Sequence, residues 1–205
     1  MTETRASTIQ VSADVTEFFG PVVEEAIQAR GYETTDAAQT YLVALLADYT
    51  RPGQLTEETL SRPLTLLLDE AMRAAGHERF ERLRTLGDGV LYVSGFFAEH
   101  LENRGVERTY VSALGARAYG TASAMLRQGT TEAGAPDLFS ELAEKFRMFV
   151  SLFADVADSL RARSARTDTA VLKLYERWLR TGSASLADAL TARGMVPVRG
   201  NGTMH

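Results

Sequence analysis

Two opposite charges, Asp88 and Arg117, are set among aromatic and small residues in the stretch from Leu86 to Met125. Gly87, Gly89, Ser94 and Gly95 stud one helical segment there, and Ser112, Ala116, Gly120 and Ala124 recur at four-residue intervals in the next. Glycine inside a helix is unfavourable unless close packing or a ligand needs the space. Tyr92, Phe96, Phe97, Tyr110 and Tyr119 surround these positions. Two chemistries fit. One is an apolar, aromatic pocket between two helices that takes a small apolar or aromatic ligand, with Asp88, Tyr92, Phe96, Arg117, Tyr119 and Gly120 as the candidate binding residues. The other, which the residues favour, is tight helix packing with a structural Asp88–Arg117 ion pair.

Other chemistries find little support. The three histidines are His77, His100 and His205, and none follows a glutamate at the spacing used by di-iron helical bundles. With no cysteine in the chain, thiolate metal sites, disulfides and cysteine catalysis are excluded. Gly87-Asp88-Gly89 lacks both the preceding strand and the third glycine of a dinucleotide-binding turn. No phosphate-binding Gly-x-x-x-x-Gly-Lys and no Gly-x-Ser-x-Gly is found. The expectation is therefore no catalytic residue, no metal and no cofactor. Arg161, Arg163 and Arg166 cluster near one helix end, where cations also complement the helix dipole. A sequence pI near 5.3 with no interleaved aromatic platform argues against nucleic acid as a partner.

Helices must position these residues. Ile occurs only at positions 9 and 27, whereas Ala and Leu abound, a mix that favours helix over strand. Phe139, Leu142, Phe146, Phe149, Phe153, Val156 and Leu160 alternate spacings of three and four, which predicts one helix of about seven turns. That stripe is a bundle core or, alternatively, a homodimer seam. A second long helix is expected from about Glu78 to Arg104, ended by Gly105, with a third over Val106–Arg127. Shorter helices are predicted over Phe18–Arg30 with Pro21 early, from Thr35 or Asp36 to Tyr49, over Leu64–Ala75 after Pro63, from Thr167 or Asp168 to Arg180, and over Ser185–Arg193. The last-but-one carries Val171, Tyr175, Trp178 and Leu179. The reading is an all-α, single compact helical bundle of about eight helices with two long central ones.

The chain has 205 residues, 45% apolar and 24% charged, with a net charge of −5. It is expected to form one domain over residues 13–195, between a loose segment at 1–12 and a loose tail at 196–205. The longest run without a charge, Ala37–Ala47, covers about half a bilayer core as a helix, so no membrane span is expected. The first ten residues show no apolar signal-peptide region, which makes the cytoplasm the expected location. Three functions fit. The first is a non-catalytic interaction or regulatory protein that forms a homo-oligomer or binds a protein partner. The second is a small-ligand sensor using the pocket, and the third an enzyme with a scattered site.

Overall fold

The computed structural model describes residues 3–50, 62–98, 107–129 and 137–198, with side chains from residue 15 onward. The fold is all-α, and there is no strand among the described residues. Nine helices are described: α1 (Glu3–Arg30), α2 (Asp36–Tyr49), α3 (Leu64–Arg73), α4 (Gly76–Phe96), α5 (Arg108–Gly129), α6 (Leu138–Glu144), α7 (Phe146–Ser164), α8 (Asp168–Thr181) and α9 (Ala184–Thr191). They fall into two compact units, residues 1–154 and 155–205, with the boundary inside α7.

Helix starts follow side-chain chemistry. Thr35 caps α2 by accepting from the Ala38 amide, Asp137 caps α6 by accepting from Phe139 and Ser140, and Thr167 caps α8 by accepting from Ala170. Gly182 follows α8 in the left-handed conformation at φ 66°, where only glycine sits without strain. The long Phe139-to-Leu160 stripe is interrupted once. Lys145, at φ −97° and ψ 15°, separates α6 from α7, and this break makes nine helices out of the expected eight. The Lys145 amide still bonds the Glu141 carbonyl and its own carbonyl still accepts from Phe149, so the ladder continues through the turned backbone, while the ammonium donates to the Glu33 carbonyl and to Glu141.

Other boundaries also move. α1 begins at Glu3, within the segment expected to be loose, so Pro21 lies inside the helix instead of opening it. Residues such as Glu, Arg, Ala and Gln extend a helix on propensity alone, without the periodic apolar face that the sequence reading looked for. α4 ends at Phe96 rather than Arg104. The Phe97 backbone departs to φ −122° and ψ 33°, and its amide closes the helix on the Val93 carbonyl. Gly105, the expected stop, lies outside the described residues.

In the first unit the core is built from Leu42, Leu46, Leu83, Leu91, Tyr119, Leu142, Phe146, Phe149 and Phe153, all fully buried. The phenylalanine stripe is therefore the chain's own core, and the homodimer-seam alternative for it does not hold, because these rings have no surface left to offer a second copy. The second unit has its own cluster of Ala162, Ala165, Leu174, Trp178, Leu186 and Leu190. α8 turns Leu174, Arg177 and Trp178 inward, whereas Leu179 is exposed.

Candidate functional site

Asp88 sits in the fourth turn of α4, a helix whose residues from Leu83 to Gly95 are largely buried. Its carboxylate lies between two other helices. Tyr41 of α2 and Tyr119 of α5 each donate a phenolic hydrogen bond of 2.6 Å, and both converge on the same oxygen, Oδ1. Local sequence makes this meeting geometrically available. A Cβ on Gly87 would lie 2.6 Å from the Tyr119 ring, so the glycine beside Asp88 is the notch through which that ring reaches the carboxylate. One turn earlier on α5, Gly115 makes the corresponding notch for the Phe146 ring, at 2.7 Å from Cε2, with Val90 at 2.9 Å on the other side. Phe139 closes the junction from α6, edge-on to Tyr41 at 5.8 Å and tilted against Tyr119 at 5.9 Å.

The electrostatics follow from burial. The Asp88 residue keeps some solvent contact, yet its carboxyl is surrounded almost wholly by protein. Desolvation raises its pKa to about 6; the Tyr119 and Tyr41 hydrogen bonds and the Arg84 charge pull the other way without cancelling it, and Glu81 adds to the rise. Burial and the neighbouring Asp88 charge together push both Tyr41 and Tyr119 well above the ordinary phenol range, so both are neutral donors at any physiological pH. Arg84, one turn before Asp88 on α4, is the nearby cation. Burial works against its charge, but Asp88 and Glu81 hold the guanidinium above its usual value. Its Nη2 donates to Glu81 at 2.7 Å, while its Nε is buried without a partner.

The candidate residues separate. Asp88 and Tyr119 are brought into direct contact. Tyr92 and Phe96 lie further along α4 in an aromatic ladder, stacked on each other at 4.9 Å, with Tyr49 at 4.9 Å from Tyr92 and Phe153 at 6.0 Å from Phe96. Arg117 is exposed on the far side of α5 from Tyr119, so the expected Asp88–Arg117 ion pair is replaced by two phenols and Arg84. Two residues apart on a helix means opposite faces, which is the physical reason one of the pair had to turn away. Gly120 is half-buried, and a Cβ there would meet only Ala143 at an ordinary 3.7 Å.

Three of the glycines serve packing. Tyr119 fills the Gly87 notch, Phe146 the Gly115 notch, and the Phe153 side chain with the Val150 carbonyl (3.2 Å) the Gly95 notch. Tyr41 is the site residue that sequence reasoning missed, since it lies 47 residues from Asp88 and no spacing connects the two. Arg84 had a readable signal, the i, i+4 spacing to an aspartate on a helix. Among the described residues no group of histidines and carboxylates could hold a metal ion, and no helix is long and apolar enough to cross a membrane. His77 is exposed with Glu81 at 4.0 Å, and His100 and His205 lie outside the described residues.

Comparison with models of protein families, with curated proteins and with solved structures gives no match.

Chemically, the Asp88 junction can accept and release a proton near neutrality, and the phenols can orient it. Neither phenol can act as a base or nucleophile while it is held neutral.

Proposed function

We propose that this chain is a non-catalytic, cytoplasmic helical interaction protein that associates with itself. The observation that carries the reading is that the chain's own rings occupy the notches cut by Gly87, Gly95 and Gly115, so the region richest in polar and aromatic groups is a packed joint. The surface for association is sought on α8. Leu172 and Leu179, seven residues apart and so on one helix face, are 54% and 43% exposed. Glu176 lies between them and Lys173 beside them, both exposed, so two antiparallel copies of α8 bring unlike charges together around the leucines.

Sedimentation velocity over a wide concentration series tests this. Wild type should pass from monomer to dimer, and the Leu172→Glu/Leu179→Glu variant should stay monomeric with an unchanged circular dichroism spectrum. A wild type that is monomeric throughout, or a variant that dimerises equally well, overturns the reading.

A small-ligand sensor is the second reading, and Gly120 favours it, because a Cβ there would meet only Ala143 at an ordinary 3.7 Å. A native mass spectrum of freshly purified protein with mass above a chain multiple, lost on Gly120→Leu, would move that reading ahead.

A further inference from the structure

We propose that residues 195–198 are the second half of the self-association surface, a strap fixed beside α8 that presents Val196 and Val198 to a second copy of the chain. This rests on the self-association reading of Leu172 and Leu179.

The strap is tied at both ends. α9 ends at Thr191, and Gly194 takes the left-handed backbone at φ 79° while the Met195 amide reaches back to the Leu190 carbonyl at 3.0 Å. Such a bond closes a glycine-terminated helix and turns the chain away from its axis. Arg193 fixes the start of the strap. Its guanidinium donates to the Ala189 carbonyl at 3.1 Å, to the Ala165 carbonyl at 3.2 Å and to the Ala162 carbonyl. Tyr175 of α8 fixes the end, its hydroxyl donating to the Val198 carbonyl at 3.3 Å.

Between these ties exposure alternates. Met195 and Pro197 are half-buried, Met195 against the cluster that holds Leu186 and Leu190, whereas Val196 and Val198 are 78% and 61% exposed. Alternation with a period of two is that of an extended segment with one face inward and one outward. Tyr175 lies three residues after Leu172 and four before Leu179, so it shares their side of α8. Its bond to Val198 therefore sets the strap along the edge of the leucine face. Among the described residues of the second unit, Leu172, Leu179, Val196 and Val198 are the large apolar side chains left exposed, and all four belong to α8 or the strap. Exposed apolar groups gathered in this way mark an interaction surface.

The charges select the occupant. Glu176 stands between the two leucines, and an apolar lipid surface would desolvate its carboxylate with no cation in return. An antiparallel second copy returns Lys173 to it. In a two-fold pair each strap then borders the α8–α8 contact, and the valines of both copies add to the leucines.

Sedimentation equilibrium of the full chain tests this with the Val196→Ser/Val198→Ser variant. Both valines are exposed, so the variant should keep its circular dichroism spectrum and its unfolding midpoint. Its dimer dissociation constant should rise about thirtyfold as two valines leave the interface. Tyr175→Phe, which unties the strap and leaves the leucines in place, should raise the constant about threefold. A wild type that dimerises while the serine variant dimerises equally well overturns the strap and leaves the α8 reading standing. A wild type that is monomeric throughout overturns both. Wild-type binding to phosphatidylserine–phosphatidylcholine vesicles that the serine variant loses would overturn the second copy as the occupant in favour of a lipid surface.

Discussion

Two aspartates, one in each unit, are held in opposite ways. Asp158 of α7 is 3% exposed and accepts from the Arg177 Nε at 2.6 Å and from Arg161 Nη1 at 3.2 Å, so its charge is met by guanidinium charge. Asp88 of α4 is met by two phenols, which orient a charge without neutralising it. A carboxylate facing guanidinium groups is a fixed ionic tie, whereas one facing neutral donors in a desolvated place is a proton-sensitive joint. At Asp88 burial raises the carboxyl to about 6, and the phenols and Arg84 moderate that rise without cancelling it.

The largest effect should come from breaking the ionic tie. Arg177→Leu strands the Asp158 charge with only the more exposed Arg161, a situation that costs about 3–5 kcal/mol when a buried pair loses one member. Trp178, the chain's one tryptophan, adjoins Arg177 and lies in the core of the second unit, so its fluorescence reports unfolding there. A denaturant midpoint for Trp178 that barely moves would show Asp158 to be satisfied by water and would end the contrast with Asp88.

Next comes the glycine packing that builds the other region. Gly95→Ala drives a methyl into the Phe153 side chain and toward the Val150 backbone oxygen at 3.2 Å, and backbone gives way less readily than a side-chain tip. Overpacking of this kind costs about 1–3 kcal/mol. Thermal melting followed by far-ultraviolet circular dichroism should show the loss; an unchanged melting temperature would mean that the α4–α7 approach is looser than the structure has it.

Tyr119→Phe sharpens the comparison at Asp88 itself. The ring still fills the Gly87 notch, so the change isolates one phenolic hydrogen bond to a carboxylate, worth about 1–2 kcal/mol at neutral pH. Because that bond favours the charged form, its removal should move the Asp88 titration upward from about 6. Carbon-13 NMR of the aspartate carboxyls measures this directly, and a downward shift would show that Tyr119 favours the protonated acid instead.

How much of this was legible in the sequence depended on the range of the interaction. The all-α fold was, because the Phe139–Leu160 periodicity and the caps at Thr35 and Thr167 are local signals. Asp88 and Tyr119 could be picked out, since a charge and a phenol stand beside glycines in segments that must pack closely. Their actual relation could not. Whether Asp88 meets Arg117, Tyr119 or Tyr41 depends on the rotation of α5 and the placement of α2, and neither leaves a trace in spacing. The Lys145 break was hidden too: the apolar stripe runs through it unchanged, and the helical hydrogen bonds continue across it.

The smallest effect separates packed glycine from spare glycine. Gly120 lies on the same helix as the tightly filled Gly115, yet an added Cβ would only touch Ala143 at 3.7 Å. Alanine there creates no clash, and it removes the entropic penalty of a glycine within a helix, so Gly120→Ala should stabilise the fold by about 0.5–1 kcal/mol. Gly95→Ala measured beside it should move the melting temperature the opposite way. If Gly120→Ala also destabilises, α6 sits closer to α5 than 3.7 Å allows, the room at Gly120 is gone, and the ligand reading loses the observation that favours it.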